Sequence, residues 1–543
     1  MSMRRGLGWL VVLAFAGLFA SVSSARVLRV AYHHVSGTYT TIQAAVDAAK
    51  SGDWILVGPG DYKSRSSSAP AGSADAPAAV LITTPGLHIR GMNRNSVVVD
   101  GTTAGARCNA LKADQNFGPS SSHGPTGLNG VEVFKADNVS VENLTTCNFL
   151  GGSGSAGNGV WWNGGDGTGQ LGGWGFYGAY LTATSSYYDP NDTGSAAQYG
   201  IFSSNWSGGT WDHAYTSNFN DSGFYIGACR QVCNQTVNHA WSEFSALGYS
   251  GSNSGGQLVV ENSEFDNNQD GFDTNSQNGD NPPPQNGACP NNGVSPITHT
   301  HSCWVFRDNY VHDNNNPNVP SHGFAGGGPV GTGMSLSGGR NDTVMDNRFV
   351  HNGAWGTILV PFPDSGPPCT GGTDVSGQLC LYDEWGNAVQ HNTYSGNGFF
   401  GNPTNGDIAL TNAEPGPTNC FAGNRDTSGP LTTAPSGLEQ TYPSCNGHTV
   451  PPSVLNPQSA QFLGEVACDS NLSLPLAGKA PCAPGDTYPR RTTVIMHPLP
   501  TNLATMRHPC AGVPKNPWCK KKSTHRRRRD PDHDGDRDRL GQH

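Results

Sequence analysis

A short glycine-led pattern recurs through the middle of the chain at almost constant spacing. Four successive copies begin 23, 25 and 23 residues apart, at Gly200, Gly223, Gly248 and Gly271. A later pair, Gly333 and Gly356, is again 23 residues apart. Each glycine follows two further short apolar segments, so one repeat contains three short strands. A period of this length with three strands predicts a coil that stacks on copies of itself.

A second pattern lies before each glycine: a small polar residue, one gap, a large apolar residue, and then Asn or Ser three residues on. Ser263-x-Phe265-x-x-Asn268 is one example, and Asn347-x-Phe349-x-x-Asn352 is another. Alternate residues of a strand face opposite ways, so the repeated apolar residue should point inward. Asn at the same bend of successive coils can hydrogen-bond as a ladder. We predict one inward stack, formed by Phe219, Phe244, Phe265, Val311, Phe349 and Tyr394.

These repeats resemble the right-handed parallel β-helix repeat family of the pectin-lyase-like superfamily, which includes pectin and pectate lyases and polygalacturonases. The resemblance covers roughly residues 35 to 412. It implies an all-β fold, a right-handed single-stranded parallel β-helix. The segment from Thr41 to Tyr62 resembles the superfamily's N-terminal cap, with a short helix that leads into a strand. Such a helix would cover the open strand edges of the first coil. One fold hosts many activities, so the resemblance is much less informative about function.

The composition changes along the chain and divides it into four predicted parts. Residues 1–25 are predicted to be a secretory signal peptide, because two arginines precede an apolar run too short to span a membrane. Residues 26–414 contain the predicted β-helix and its cap. Residues 415–519 are predicted to form a Cys- and Pro-rich irregular region, and residues 520–543 are predicted to form a charged disordered tail. We therefore expect a secreted, extracellular and monomeric protein that is not held in a membrane.

The fourteen cysteines fall into near neighbours along the chain, which fits an exported protein. Local pairing is the simplest prediction, although sequence alone does not fix connectivity. The predicted disulfides are Cys108–Cys147, Cys229–Cys233, Cys289–Cys303, Cys369–Cys380, Cys420–Cys445, Cys468–Cys482 and Cys510–Cys519. The spacing of Cys229 and Cys233 could also suit a metal ion, but no matching second pair supports that alternative.

The second residue after each repeated glycine should point away from the core. This predicted outward column contains Trp161, Phe202, Tyr225, Ser250, Asp273 and Ser335. We predict that its aromatic members bind substrate, because aromatic faces beside a carboxylate suit the apolar faces and hydroxyl edges of sugar rings. The alternative is that loops cover these rings and pack against them. A register slip of one residue would turn the whole column inward.

The segment Asp270-Gly271-Phe272-Asp273 resembles the first catalytic segment of polygalacturonases. The resemblance implies that Asp270 and Asp273 supply the proton donor and the base or nucleophile of a hydrolase. The rest of that family's pattern is missing, because Gly333-Met334-Ser335 carries no acid one coil later. The alternative is that both carboxylates are solvated or bind Ca²⁺.

A second outward set is predicted on the strand before the glycine-led strand. Glu264, Tyr310 and Arg348 should stack in one column, and Asp266 and His312 in the next, if the insertions hide no whole coil. Carboxylate, phenol, imidazole and guanidinium groups side by side could abstract a proton next to a uronate carboxylate. The alternative is an ordinary mixed-charge ladder on the surface of a sheet.

The charge of the chain indicates which classes of molecule it can bind. The formal net charge is −10 and the single basic run is short, which argues against nucleic acid as a partner. Acids outnumber the few Lys and Arg between residues 120 and 411, so the surface should repel a polyanion unless Ca²⁺ bridges acid to acid. The leading hypothesis is a hydrolase- or lyase-like protein that binds or cleaves an extracellular polysaccharide. The alternative is a non-catalytic surface or matrix scaffold, similar to an adhesin.

The charged tail contains alternating carboxylates at Asp530, Asp532, Asp534 and Asp536. Asp-x-Asp-x-Asp-Gly resembles the start of an EF-hand loop, in which carboxylates and a glycine turn wrap one Ca²⁺ ion. Position twelve of the loop is Gly541 rather than Glu, and no flanking helices are evident. The tail is therefore a candidate calcium site with an incomplete ligand set, and Ca²⁺ is the one cofactor that the sequence suggests.

Overall fold

The chain winds into three-sided coils, and each coil contributes one strand to each of three parallel sheets. This arrangement confirms the predicted parallel β-helix. The computed structural model describes residues 25–63, 76–229, 233–278, 304–323, 325–364, 366–412, 419–442, 445, 457–470, 473–474, 478–479 and 482–519. The predicted signal peptide up to residue 24, the Cys289–Cys303 pair and the candidate calcium site in the tail lie outside the described residues.

Three long sheets, named A, B and C in the order in which each coil visits them, form the sides of the solenoid. Sheet A contains Val27–Val30, Trp54–Val57, His88–Gly91, Val139–Glu142, Phe176–Ala179, Gly209–Asp212, Gln235–Asn238, Leu258–Glu261, Trp304–Arg307, Thr343–Met345, Ala388–Gln390 and Cys420–Ala422. Sheet B contains Gly60–Lys63, Val97–Asp100, Thr145–Cys147, Thr182–Thr184, Tyr215–Ser217, Trp241–Glu243, Glu264–Asp266, Tyr310–His312, Arg348–Val350, Thr393–Ser395 and Arg425–Asp426. Sheet C contains Ala78–Ile82, Asn129–Phe134, Asn158–Asn163, Tyr199–Ser204, Ser222–Gly227, Leu247–Ser252, Asp270–Asn275, Thr332–Ser337, Trp355–Val360, Gly406–Leu410 and Thr433–Ala434.

Several short elements lie outside the three long sheets. A three-stranded antiparallel sheet is formed by Phe362–Asp364, Thr373–Val375 and Leu379–Tyr382. Two-stranded pairs are Ser120–Ser121 with Gly124–Pro125, Gly173–Trp174 with Trp206–Ser207, and Ser473–Leu474 with Gly478–Lys479. Single 3₁₀ turns are Lys112–Asp114, Thr193–Ser195 and Ala325–Gly327.

The predicted N-terminal helix is present as Ile42–Ala48. Thr41 caps it, because the Thr41 hydroxyl accepts a hydrogen bond from the Ala44 backbone N–H at 3.2 Å. Ile42 and Val46 are buried on the side that faces the first coil. The helix therefore closes the core at the end where no further coil continues it.

Most of the predicted inward stack is confirmed. Four of its members align in successive strands of sheet B and are fully buried: Phe265, Val311, Phe349 and Tyr394. Phe219 is also buried, at the corner between sheets B and C. The rings of Phe349 and Tyr394 lie nearly parallel, with centroids 5.2 Å apart.

The prediction for Phe244 is wrong. Ser242, not Phe244, occupies the inward position beside Phe265. The sheet B strand here is only three residues long, and Phe244 already forms the corner with a φ of 56°. Its ring leaves the core and stacks on His497, with ring centroids 3.4 Å apart.

Asparagine ladders brace two of the three corners, as the repeat predicted. Between sheets A and B, side-chain amides hydrogen-bond from coil to coil at 3.0–3.1 Å along Asn309, Asn347, Asn392 and Asn424. Between sheets B and C the same contact runs at 3.1–3.2 Å along Asn268, Asn314, Asn352 and Asn397. These ladders satisfy buried polar groups that the turns would otherwise leave unpaired.

The coils continue beyond residue 414, where the sequence placed the end of the β-helix. One more strand joins each sheet, ending at Thr433–Ala434 in sheet C. These last strands are two or three residues long between Pro- and Thr-rich connections, so their repeat is not visible in the sequence. Two helices follow, Leu438–Thr441 and Pro457–Asp469. No helix in the described part of the chain is both long and apolar enough to span a bilayer.

Residues 482–519, which we call the C-terminal strap, run back along the solenoid towards its N-terminal end. The strap contacts Asn318 through the Thr492 backbone N–H at 2.9 Å and Asn218 through the His497 backbone N–H at 3.1 Å. Near its end, Arg90 donates a hydrogen bond to the carbonyl of Ala511 at 2.6 Å. The predicted irregular region is thus partly a long brace that crosses many coils.

Six of the predicted disulfides are present, and the described residues contain no free cysteine. A thiol reagent added to denatured, unreduced protein is therefore expected to find almost no free thiol, and reduction should release fourteen. Several reactive thiols before reduction would contradict the local pairing. A control with reduced and alkylated protein sets the baseline.

Candidate functional site

The outward column predicted on sheet C exists in the predicted register. Cα positions pair from coil to coil along Trp161, Phe202, Tyr225, Ser250, Asp273, Ser335 and Ile358. The interleaved residues, such as Phe224 and Phe272, belong to the main core. The column therefore lies on the outer face of sheet C.

The three aromatic residues of this column pack on one another. The rings of Trp161 and Phe202 stack with centroids 5.0 Å apart, and the Tyr225 ring meets Phe202 edge-on at 4.8 Å. All three are buried in a small cluster separate from the main core, with Tyr199 beside it. Trp161 and Phe202 thus follow the packing alternative, and Tyr225 is the member that reaches open space.

A groove of about 480 Å³ lies on the outer face of sheet C, next to Tyr225. Its floor follows the column from Tyr225 through Asp273 to Ile358. Five coils at about 4.8 Å per coil make this floor about 19 Å long. The loop that carries His322 forms one wall, and the helix Pro457–Asp469 and the antiparallel sheet near Phe362 form the other apolar walls.

Asp273 faces this groove and is half-buried. Ser337 donates a hydrogen bond to its carboxylate at 2.8 Å. Burial raises the pKa of Asp273 to about 6, although the hydrogen bonds from Ser337 and Asn275 oppose the shift. The carboxyl therefore exchanges its proton in the range where acid–base catalysis at mild pH is efficient.

Asp270 does not face the groove. Its side chain is fully buried, and Gly328 of the covering loop lies against its Cβ position. Ser335, which lines the groove, donates a hydrogen bond to Asp270 at 2.7 Å. Burial and then the charge of Asp273 raise the pKa of Asp270 well above its ordinary value. Asp270 therefore reaches the groove only through the Ser335 hydroxyl.

Directly after the helix Pro457–Asp469, Ser470 adds a polar group to the groove that the sequence did not suggest. Next to it, Asp469 is the last residue of the helix and is 5% exposed, and neither of its carboxylate oxygens has a hydrogen-bond partner among the described residues. Burial raises the pKa of Asp469 well above its ordinary value, although the charge of Arg490 opposes this shift. The buried hydroxyl of Ser470 likewise has no hydrogen-bond partner in the part of the chain that the structure describes. No repeat spacing marks these residues, because they come from the far end of the chain.

Two further groove residues escaped the sequence prediction. Asp221 lines the groove and accepts a hydrogen bond from the Tyr199 hydroxyl at 3.1 Å. His322 stands at the rim, with Nδ1 2.9 Å from the Thr193 hydroxyl. The segment Ser321-His322-Gly323 resembles the Gly-His-Gly segment of polygalacturonases only faintly, so the sequence did not predict His322 as a site residue.

The second predicted set is assembled on the outer face of sheet B in the predicted columns. Glu264, Tyr310 and Arg348 align in successive strands, and so do Asp266 and His312. His312 lies between two carboxylates, with Nε2 3.0 Å from Glu264 and Nδ1 2.9 Å from Asp313. The guanidinium of Arg348 lies 4.3 Å from the ring centroid of Tyr310.

Burial raises the pKa of carboxyl groups in this second set and beside it. It raises the pKa of Asp266 to about 6, although Trp241 donates a hydrogen bond to Asp266 at 2.6 Å. It raises the pKa of the neighbouring Glu243 to about 7, although the Tyr215 hydroxyl donates to Glu243 at 2.6 Å. Burial alone lowers the pKa of His312, but its bonds with Glu264 and Asp313 raise it overall.

The buried carboxyl of Glu243 should make the protein less stable as the pH rises. In the unfolded chain a glutamate loses its proton near pH 4.3, whereas folded Glu243 keeps it until about pH 7. The folded state therefore binds more protons between these values, and the free energy of unfolding falls across that window. Wild type should therefore lose unfolding free energy between pH 5 and pH 8. In Glu243→Gln we expect this loss to be smaller by about 1–2 kcal/mol, a value that is reduced because the side chain is partly exposed.

Urea unfolding at both pH values measures this difference. Tyr215→Phe is the paired variant: it removes the hydrogen bond that lowers the pKa of Glu243, so it should increase the loss of stability. Equal pH slopes in wild type and Glu243→Gln would contradict the assignment.

Four groups of side chains in the described part of the chain could hold a metal ion. One is Glu264, Asp266 and His312 from the second set. None of the four includes Asp270 or Asp273, so the calcium alternative for that pair gains no support from the described residues. Two groups rely on cysteines that are already joined in disulfides.

Solved structures of several carbohydrate-active proteins are similar to this chain in outline. The A-module of a mannuronan C-5 epimerase from Azotobacter vinelandii has a TM-score of 0.41 and 13% identity, and the match covers 72% of this chain and 92% of that chain. An alginate lyase from Paenibacillus sp. has a TM-score of 0.34 and 10% identity, covering 75% and 97%. A pectate lyase has a TM-score of 0.35 and 13% identity, covering 76% and 79%. No family model and no curated protein matches the chain. These likenesses assign no activity to it.

Proposed function

We propose that this protein is an extracellular glycan-acting β-helix protein that binds a neutral polysaccharide segment in the sheet C groove, with Asp273 as the acid–base group. One observation carries the proposal: an elongated groove in which the Tyr225 ring and the Asp273 carboxyl, with its raised pKa, face the same space. Perturbed carboxyl groups in the main concave pocket are a common mark of a functional site.

The shape and lining of the groove favour a sugar chain over a compact ligand. Its floor has one outward residue per coil, so it offers one contact position about every 4.8 Å along its length. At one end, phenol rings present apolar faces beside the hydroxyl, amide and carboxyl groups that sugar hydroxyls can bind. At the other end, Ile358, Val360 and the C-terminal helix supply an apolar wall.

The charge of the groove favours a neutral chain. Asp221 and Asp273 line it, and no described lining residue is Lys or Arg. A polyuronate would place its carboxylates against these acids without a cation to balance them. The lyase hypothesis, which needs a uronate, is therefore the weaker form of the proposal.

In the catalytic form of the proposal, Asp273 delivers its proton to the glycosidic oxygen of the bound chain while the bond between this oxygen and the anomeric carbon breaks. Water then adds to the anomeric carbon and returns a proton to the Asp273 carboxylate. Asp273 is the member of the predicted carboxyl pair that touches the groove. Asp270 acts as a positioning residue, because its carboxyl group accepts the hydrogen bond of the Ser335 hydroxyl and so holds this hydroxyl at the groove floor.

A second candidate function is glycan binding without cleavage. The burial of Asp270 favours it, because a two-carboxylate hydrolase needs both groups at the scissile bond. In that case the solenoid is a scaffold and the groove only recognises its partner.

A panel of neutral and acidic polysaccharides tests the proposal. Calorimetry measures binding, and assays for new reducing ends and for unsaturated uronates distinguish hydrolysis from lyase cleavage. Tyr225→Ala should weaken binding, whereas Tyr177→Ala, an exposed tyrosine on sheet A, should not. Thermal unfolding of both variants checks that the fold is intact. If no neutral glycan binds, or if Tyr225→Ala binds as well as wild type, the proposal fails.

A further inference from the structure

Two histidines and an aspartate meet at the corner between sheets A and B, on the far side of sheet B from the groove. Asp212 ends a strand of sheet A, His213 follows it at the corner, and His239 occupies the same corner one coil later. Both histidines have positive φ, 54° and 50°, and their side chains are 37% and 50% exposed. Their rings stack with centroids 4.7 Å apart.

The nitrogen atoms of both rings converge on one carboxylate. Nδ1 of His213 lies 2.9 Å and Nδ1 of His239 lies 3.4 Å from the same oxygen of Asp212. The three ligand atoms lie within 4.8 Å of one another. A tetrahedral zinc ion with bonds of about 2.0–2.1 Å holds its ligand atoms about 3.3 Å apart, so the observed spacings bracket that value.

His213 Nδ1 supplies an independent sign that a ligand is expected here. This atom is buried and has no hydrogen-bond partner among the described residues, although Asp212 is at hydrogen-bonding distance. The ring nitrogen therefore does not point at the oxygen. Leaving a buried ring nitrogen without a hydrogen-bond partner costs free energy, and a bound metal ion would give this atom a partner.

We propose that Asp212, His213 and His239 form a binding site for a divalent transition-metal ion of the zinc type, which links two consecutive coils. Two of the three ligands are imidazoles, which suit zinc, copper and nickel, whereas calcium takes oxygen ligands. His239 is half exposed, so the fourth position is open to water.

One other group of side chains could bind a metal ion without using disulfide-bonded cysteines, but its atoms are less free to do so. In the set of Glu264, Asp266 and His312, both Asp266 oxygens accept N–H groups, from Trp241 and Asn267. Both nitrogens of His312 are engaged as well, by Asp313 and Glu264. A metal at this set would have to replace four contacts of 2.5–3.0 Å. At the proposed site it would replace two longer contacts to Asp212 Oδ1, from Asn238 Nδ2 at 3.2 Å and from His239 Nδ1 at 3.4 Å.

Zinc and cobalt titrations of the chelator-treated, full-length secreted protein test the proposal. Calorimetry should show one tight zinc step, and Co²⁺ should give the absorption bands of a low-symmetry site with nitrogen ligands. His239→Ala and Asp212→Asn should each weaken zinc binding by more than about tenfold, the lower limit for losing even an outer-shell partner. Added zinc should raise the unfolding temperature of wild type but not of these variants.

Two controls keep the result interpretable. His391→Ala changes an exposed histidine at the same corner several coils away and should leave zinc binding unchanged. His312→Ala tests the rival group on sheet B. Zinc binding that disappears with His312 but survives the loss of His239 would overturn the proposal, and so would the absence of any tight zinc step in wild type.

Discussion

Truncation of Phe349 to alanine is expected to lower the free energy of unfolding by about 3–5 kcal/mol. Phe349 is fully buried and lies between Val311 and Tyr394 in the inward column of sheet B. Its ring stacks on Tyr394, so the variant loses both the burial of the ring and an aromatic contact. The neighbouring coils are tied by asparagine ladders at both ends of the strand, so they can close the resulting cavity only in part.

Phe244→Ala is the matched control, because the sequence places Phe244 in the same column and the structure does not. The Phe244 ring stacks on His497 of the C-terminal strap, outside the core. Its truncation should cost only about 0.5–1.5 kcal/mol, the range for an aromatic contact. Urea unfolding of both variants with disulfides intact measures the difference. Equal losses for the two variants would contradict the register of this coil.

The sequence was sufficient to predict the fold and the two outward columns because both depend on local rules. Many corners contain a residue in the left-handed region, and at Asp308, Asp346 and His391 the next residue is Asn. The residues of the strands alternate between the core and the outer face. These rules fix the register from coil to coil, so Asp273 falls beside Ser250 and Ser335, and Glu264 beside Tyr310.

The sequence could not predict how the columns are covered. Asp270 is buried by a loop near Gly328. The groove walls come from residues 362 to 381 and from a helix about 200 residues beyond Asp273. None of these contacts follows the repeat period. The wrong prediction for Phe244 has the same cause, because its stacking partner His497 belongs to the C-terminal strap, which does not follow the repeat period.

Asp273→Asn is expected to lower glycan turnover by about 10²–10⁴-fold, the usual contribution of a positioned acid or base. The amide cannot transfer a proton, yet it can still accept the hydrogen bond from Ser337. Because the carboxyl is half-buried and faces the groove rather than the core, the fold should survive the change. Binding of the same glycan should change much less than its turnover.

The pH dependence of turnover adds a second test of the same assignment. If Asp273 acts as the proton donor, turnover in wild type should fall as the pH rises through about 6, where the carboxyl loses its proton. The residual turnover of Asp273→Asn should lack this step. Asp221→Asn changes another groove carboxyl and should affect affinity rather than the catalytic rate. Unchanged turnover in Asp273→Asn, with glycan binding intact, would exclude catalysis by Asp273 and favour the non-catalytic scaffold, because no other carboxyl of the predicted pair touches the groove.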